Sequence, residues 1–327
     1  MDFFGSDTSL QPVSIKSFNS KLNEWISFFP SCSRSLLTIV MFPEYAMEVL
    51  NRCITTNTNT NKHVYIMAVL SMIRHRRDIV GTMPIKDIEA YRKRWADIFA
   101  ENEAPIIQRR LENKPTILQQ SKGGSKMTFN QIVEKRDKLP MGSIEHLLIS
   151  MYTMIPPTRA DYFELEVVRG DTEPVSKNYL RIQDDEKSGT RMDTVLRDFK
   201  TAKTYKEIRN ELPVELVEVV KASLEKTPRK YLFMNANGKP HTRNSFTLWT
   251  RRVLSRIFGT DFTLVFFRHA FATHYVMNID LRTMTDAQIK EISDKMGHST
   301  EMFRAYRWIR GEEVDGADGA GEGSDEE

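Results

Sequence analysis

The chain is 327 residues long and 40% hydrophobic, which is enough to bury a core and excludes a protein that is disordered throughout. Its 47 basic and 44 acidic residues leave a net charge of +3, and we see neither a membrane-spanning apolar run nor a secretory signal. Two cysteines, Cys32 and Cys53, are too few for a disulfide framework or a four-ligand zinc site, so we expect a reducing compartment, the nucleus or cytoplasm.

The charge is divided unevenly along the chain. Residues 311–327 hold eight acidic residues and no basic one. The rest of the chain therefore has 47 basic against 36 acidic residues, a net charge of +11. A basic body with an acidic tail favours a polyanionic partner such as nucleic acid, although a solvated surface with a solubilising tail gives the same count. We expect the tail to be disordered.

Helical spacing dominates the first third of the chain. Apolar residues recur there every three or four positions, which is typical of amphipathic helices. No strand pattern precedes about residue 160. The predicted helices span 14–29, 62–77 and 85–111.

The helical pattern ends over 113–127, where Pro115 and the pair Gly123-Gly124 interrupt any helix and predict a linker. The next predicted helix ends at Pro156-Pro157. Residues with high β-propensity then dominate until Pro213, after which helical spacing returns. The predicted strands cover 178–183, 192–199 and 209–214, and the predicted helices cover 143–155, 214–225, 241–258, 264–279 and 286–296.

Together these patterns predict a mainly α protein with a small antiparallel β-sheet, an α+β fold. We divide it into a helical domain over 1–112, the linker 113–127, a mixed domain over 128–310 and the acidic tail 311–327. No glycine-rich phosphate loop and no GxSxG motif is present. The seven histidines are scattered rather than spaced with carboxylates as metal ligands, so a two-metal nuclease is not expected.

An ordered series of polar motifs runs through the mixed domain instead. It starts directly after a predicted helix, passes the end of a predicted strand and continues through two further helical segments to a single late tyrosine. The series is Pro156-Pro157-Thr158-Arg159-Ala160-Asp161-Tyr162, Phe199-Lys200-Thr201, Arg268-His269-Ala270-Phe271-Ala272-Thr273, Met296-Gly297-His298-Ser299, and Tyr306.

This series resembles the tyrosine recombinases, the phage-integrase family. That family has an arginine after a helix, a lysine in a β-hairpin, an RHxFAT helix, a GHS turn and a downstream tyrosine in this order. The Pro-Pro-x-Arg-x-Asp-Tyr form of the first motif resembles integrases of eukaryotic DNA viruses and mobile elements. The match covers about residues 128–308, which would be the catalytic domain, and the helical first third resembles the core-binding domain by pattern alone.

The resemblance implies site-specific DNA recombination or integration through a covalent 3′-phosphotyrosine link, without metal, cofactor or ATP. Arg159 and Arg268 would hold the scissile phosphate, because a guanidinium stays charged and binds phosphate oxygens in pairs. Tyr306 would attack, Lys200 would protonate the leaving 5′-oxygen, and His298 would hydrogen-bond the phosphate. The implied partner is double-stranded DNA, bound by a homotetramer on two duplexes, with no membrane and no small-molecule substrate.

Some of these assignments have alternatives. Arg159 could instead pair with Asp161 or cap the helix, and Lys203 or Lys206 could replace Lys200 as the general acid. We favour Lys200 because Lys-Thr at a strand end matches the hairpin motif of the family. Tyr306 could be a packing residue, although no other tyrosine follows Tyr275. We expect His269 to be structural rather than catalytic, and His274, Cys32 and Cys53 to be core or surface residues.

The chain departs from the family pattern in three places. Val265 stands three residues before Arg268, where the family usually has a histidine that is assigned a base role. The acidic residue of the first motif, Asp161, follows the arginine by two positions rather than three. Tyr306 follows His298 by eight residues rather than nine. The alternatives to a recombinase are therefore a monomeric type IB topoisomerase-like nicking–closing enzyme and a DNA-binding relative that has lost catalysis.

Basic residues on helices of both domains and in the linker predict a clamp around duplex DNA, made mostly of phosphate contacts. Each of them could equally be a solvated surface charge. The acidic tail could mimic DNA and shield this surface, or only aid solubility. The candidates are Arg74, Arg76, Arg77, Arg92, Lys93, Arg94, Lys122, Lys126, Arg243, Arg251, Arg252 and Arg256.

Overall fold

The computed structural model describes residues 2–4, 10, 12–55, 58–76, 81, 83–185, 189–278 and 284–307. The chain separates into two compact units, Met1–Leu111 and Glu112–Glu327, each with its own hydrophobic core. It combines helices with one small sheet, so the predicted α+β class is confirmed. None of the described helices is long and apolar enough to span a membrane. The predicted acidic tail lies outside the described residues.

Every described element of the first unit is helical. Two unpredicted helices, Leu36–Met41 and Pro43–Cys53, have 6 and 11 residues, too short for apolar periodicity to stand out in the sequence. Side-chain oxygens of Ser35 and Thr58 accept amide hydrogen bonds at the starts of the helices Leu36–Met41 and Asn59–His75. The helices are α1 (Pro12–Ser27), α2 (Leu36–Met41), α3 (Pro43–Cys53), α4 (Asn59–His75) and α5 (Ile85–Leu111), with a 3-10 turn at Ser31–Ser33.

Two tryptophans form the centre of this unit. Trp25 of α1 and Trp95 of α5 are fully buried and meet edge to face at 5.7 Å. Their indole N–H groups donate to the carbonyls of Ala46 and Val40, at 3.1 and 3.2 Å. Because each ring is both packed and hydrogen-bonded, the pair fixes the short helices α2 and α3 against the two long ones.

The second unit surrounds a four-stranded sheet with helices. Five of its helices begin and end within two residues of the predicted bounds. Its helices are α6 (Ile117–Gln120), α7 (Phe129–Asp137), α8 (Ile144–Thr153), α9 (Ala202–Tyr205), α10 (Val214–Lys226), α11 (Arg243–Phe258), α12 (Leu264–Asn278), α13 (Asp286–Lys295) and α14 (Thr300–Tyr306), and its strands are β1 (Glu166–Arg169), β2 (Tyr179–Asp185), β3 (Gly189–Leu196) and β4 (Ile208–Glu211).

The sheet has the order β1-β2-β3-β4 and is mixed rather than purely antiparallel. The predicted strands pair antiparallel as β2–β3 and β3–β4, whereas the unpredicted β1 runs parallel to β2. This strand has only four residues, so no alternation marks it in the sequence. Its side chain Glu166 is buried and accepts hydrogen bonds from the amides of Val175 and Ser176, both at 2.7 Å. That contact fixes the loop that returns the chain to β2.

The segment 113–127, predicted as a linker, contains α6 and a 3-10 turn at Gly123–Lys126 and groups with the second unit. Its two glycines are needed for close packing. A Cβ on Gly123 would lie 2.2 Å from the Thr260 hydroxyl, and one on Gly124 would lie 2.8 Å from the Asp261 carbonyl. Lys122 also pairs with Asp261 at 2.9 Å.

Arg229 holds together the turn that follows α10. Its guanidinium donates to the carbonyls of Leu232, Ser223 and Thr227 and to the Ser223 hydroxyl, at 2.7–2.9 Å. If this side chain were removed, three acceptors would lose this donor, and the Ser223 carbonyl would keep only the amide of Thr227.

We therefore predict that Arg229→Met lowers the free energy of unfolding by about 2–3 kcal/mol, because buried acceptors are left unpaired. The matched control is Arg256→Met, which removes an exposed ion pair with Glu145 and should cost less than about 1 kcal/mol. Urea unfolding of the full chain measures both. Equal shifts in the two variants would contradict a special role for the Arg229 contacts.

Candidate active site

The guanidinium of Arg268 lies at the centre of the predicted motifs. It follows the buried Phe266 and Phe267 in α12, and its side chain is fully buried. Its Nη1 donates to the carbonyls of Pro157 and Met296, at 2.7 and 2.8 Å. Its Nε and Nη2 meet no acceptor in hydrogen-bond geometry among the described residues, although the Tyr306 side chain lies close enough to interact with this guanidinium. A buried cation with two unpaired donors is costly, and an anion is the kind of group that would offset this cost.

A glycine turn holds a second arginine beside the first. Gly297 follows α13 with φ +69°, and its carbonyl accepts from Arg159 Nη1 at 3.3 Å and from the Thr201 hydroxyl at 2.9 Å. A Cβ here would lie 3.2 Å from Ile208, in a backbone conformation that favours glycine. The successive carbonyls of Met296 and Gly297 therefore hold both arginines, which is a structural reason for the Met-Gly-His sequence.

Arg159 is fixed through its backbone as well as its side chain. Its amide donates to Asp161 Oδ2 at 3.0 Å, and its carbonyl accepts from the Tyr152 hydroxyl at 2.6 Å. The buried carboxylate of Asp161 forms its ion pair with Arg243 of α11. Asp161 therefore pairs with Arg243 rather than with the Arg159 guanidinium. That guanidinium faces the turn at Gly297 instead.

Tyr306, the last residue of α14, lies against both arginines and two histidines. The Arg268 guanidinium carbon is 4.8 Å from the centre of its ring, and the His298 ring stacks on it at 5.2 Å. His269 Nδ1 lies 2.8 Å from the Tyr306 carbonyl. Burial alone would raise the pKa of Tyr306, but the positive charges of Arg268 and Arg159 outweigh it and lower that pKa.

Both histidines of the site are neutral near pH 7. Burial, followed by the charge of Arg268, lowers the pKa of His298 to about 3, and burial lowers that of His269 to about 4. His298 Nδ1 lies 3.1 Å from the Ser299 carbonyl, so a hydrogen bond there places the proton on Nδ1. Its buried Nε2 has no partner among the described residues.

Lys200 lies on the connection between β3 and β4, with its side chain exposed. Its neighbour Thr201 is the residue that reaches the Gly297 carbonyl. Val265 lies in the first turn of α12 and is 41% exposed, whereas His269, one turn later, contacts the tyrosine. The structure thus brings together Arg159, Arg268, His298 and Tyr306, and it places Lys200 one residue from a contact to the same turn.

Several contacts of the site were not predicted from the sequence. Three of the residues that make them, Thr201, Gly297 and His269, belong to motifs identified in the sequence. The motifs indicated that these residues lie near the site but not which groups they contact. Arg243 gave no such signal, since it was counted only among the basic residues of a helix. Its partner Asp161 is 82 residues away, and no local pattern records that pairing.

Many of the predicted DNA-contacting residues are already paired with carboxylates in their own unit. Arg94 pairs with Glu44 and Glu101, and Arg256 pairs with Glu145. These pairs lower the charge that this part of the surface offers to DNA. Arg77 lies outside the described residues. The remaining predicted contacts in such pairs are Lys122 and Arg251 with Asp261, and Arg243 with Asp161 and Asp198.

Comparisons with known proteins add little to this geometry. No family model and no curated protein matches the sequence. Among solved structures, the chain is similar to a crystal structure of XerA recombinase, with a TM-score of 0.38 and 15% identity over 95% of this chain and 92% of that one. In the described part of the chain, no group of His, Cys, Asp and Glu is placed to hold a metal ion.

We predict that the Tyr306 phenol ionises at a lower pH than an ordinary tyrosine, because two cations lie beside it. The phenolate absorbance of wild type minus that of Tyr306→Phe isolates this one titration. Arg159→Met should move it to higher pH, and Arg256→Met should leave it in place. A difference titration at or above the usual tyrosine pKa of about 10 would contradict the assignment.

Proposed function

We propose that this chain cuts and rejoins double-stranded DNA through a covalent 3′-phosphotyrosine intermediate, as a site-specific recombinase or integrase. One observation carries the proposal: the last tyrosine of the chain lies against two arginines, one of them buried with two donors unpaired. A nucleophile beside cations that lack an anion is the arrangement that attack on a phosphodiester requires.

The phosphate of the DNA backbone fits the unpaired donors. Nε and Nη2 of Arg268 would bind two non-bridging oxygens, and the Arg159 guanidinium would add a second positive charge. Binding would relieve the cost of the buried charge, because the anion replaces the water that Arg268 has lost. The same two cations would neutralise the charge that builds on the phosphate during attack.

The reaction would begin with the phenolate form of Tyr306, whose pKa the arginines lower. The phenol proton leaves to solvent, the phenolate oxygen bonds to phosphorus, and the bond to the 5′-oxygen breaks. Lys200 would give that oxygen its proton, which yields a free 5′-hydroxyl. The covalent link stores the energy of the broken bond, so a 5′-hydroxyl can reverse the step without ATP.

His298 would act on the phosphate rather than on the tyrosine. A phosphate beside the ring adds negative charge, which favours the protonated imidazole and lets Nε2–H donate to an oxygen. Val265 offers no proton acceptor at the position where the family usually has histidine. The positive charges of Arg268 and Arg159 beside Tyr306 would reduce the need for such a base, because they favour the phenolate directly.

Recombination needs a second strand, and we propose that a homotetramer brings two duplexes together for this purpose. The resemblance of the first motif further suggests the DNA of a virus or mobile element as substrate. A nicking–closing enzyme, whose catalytic residues would overlap with these five, would act on one duplex as a monomer.

We predict that the wild-type protein forms a covalent adduct with nicked duplexes from a randomised pool, since the nick lets the cut fragment escape. Tyr306→Phe should form none, and Arg268→Lys should be slower by about 10²-fold or more because it loses the paired donors. Tyr231→Phe, in the same unit, should behave as wild type. Adducts are counted on denaturing gels with EDTA present. A wild-type protein that forms no adduct would overturn the proposal.

Strand exchange separates the recombinase from the nicking–closing enzyme. With two labelled duplexes that carry the site recovered from the pool, a recombinase should give recombinant products and four-stranded junctions. Relaxation of supercoiled DNA without exchange would instead favour the topoisomerase-like alternative.

A further inference from the structure

We infer that Thr201 and Asn178 are positioning residues that fix the peptide carrying Lys200 relative to Arg159. The inference rests on the proposed function and adds to it the backbone contacts that position the general acid. It also distinguishes Lys200 from the two neighbouring lysines by the anchoring of the backbone.

Asn178 anchors the beginning of this peptide. It is 2% exposed, and its Oδ1 accepts from the amides of Arg197 and Asp198, at 2.9 and 2.8 Å. Its Nδ2 donates to the carbonyls of Asp198 and Asp161, both at 2.9 Å. All the hydrogen-bonding capacity of the amide is used, so the chain after β3 is tied to the loop that bears Arg159.

Thr201 anchors the other end. Its hydroxyl donates to the Gly297 carbonyl, which also accepts from Arg159. Between the two anchors, Phe199 is 5% exposed and packs into the hydrophobic core. The segment 197–201 is therefore held at both ends and in the middle, while the side chain of Lys200 stays exposed.

The two alternative lysines lie beyond these anchors. Lys203 belongs to α9, a helix of only four residues. Lys206 follows it with φ +62°, a backbone conformation that non-glycine residues rarely adopt. Neither residue lies between a contact to the Arg159 loop and a contact to Gly297, so only Lys200 has a backbone fixed to both sides of the phosphate site.

The chemistry of the leaving group offers a direct test. When the bond from phosphorus to the 5′-oxygen breaks, the electron pair stays on oxygen, which must take a proton from Lys200. If sulfur replaces that oxygen, the leaving group is a thiolate that needs no proton, because a thiol has a pKa of about 8.5. A variant that misplaces only the general acid should therefore form the adduct slowly on the 5′-oxygen substrate and at a near-normal rate on the 5′-sulfur substrate. A variant that disturbs phosphate binding should form it slowly on both substrates.

We expect Thr201→Val, which keeps the side-chain shape and loses the donor, to slow adduct formation about 10- to 100-fold on the oxygen substrate. On the matching 5′-phosphorothiolate substrate its rate should stay within about threefold of wild type. Thr201→Ser keeps the hydroxyl and should restore the rate with oxygen. Lys200→Met should show the same recovery by sulfur, and Lys203→Met should match wild type on both substrates.

Three outcomes count against the inference. Equal slowing of Thr201→Val on both substrates would mean that Thr201 acts on Arg159 through Gly297, or on folding. An unchanged rate with oxygen would mean that its hydroxyl has no role. Recovery by sulfur in Lys203→Met but not in Lys200→Met would assign the acid to Lys203. Absence of any adduct from wild type with either substrate would reject the proposed function itself, which is a different result from all three.

Discussion

The buried guanidinium of Arg268 is the interaction on which the rest of the site depends. A charge without access to water has to be met by oriented dipoles, and Pro157 and Met296 supply carbonyls from segments more than 100 residues apart. These two contacts bring the first arginine motif and the glycine turn to the same helix. These contacts also restrict the positions of Arg159 and Tyr306, because Arg159 closely follows Pro157 in the chain and Tyr306 closely follows Met296.

The protein leaves part of this charge uncompensated. Two donors of Arg268 and one nitrogen of His298 are buried without partners among the described residues, which lowers stability. Two side chains that support the site are paired more fully: Asp161 binds an amide and Arg243, and Asn178 uses every donor and acceptor it has. Paired neighbours of this kind hold the unpaired groups in fixed positions, as preorganised electrostatic sites require.

The same field sets the protonation states. Positive charge beside Tyr306 favours its phenolate, whereas burial and the same charge keep His298 neutral. Away from the site, several basic residues of the body are paired with carboxylates, so the net charge of +11 overstates the positive field at its surface. The arginines at the site are held by carbonyls instead, and their charge is therefore not cancelled.

The sequence by itself determined the α+β class, the long helices and three of the four strands, because apolar periodicity and β-propensity are local properties. It also marked the site residues as an ordered series. Only the tertiary structure decided that the sheet is mixed, since β1 is too short to show a period. The structure also decided that Asp161 pairs with Arg243 and that Gly297 receives both Arg159 and Thr201. Hydrogen bonds between distant segments depend on how the elements pack, and no spacing along the chain records them.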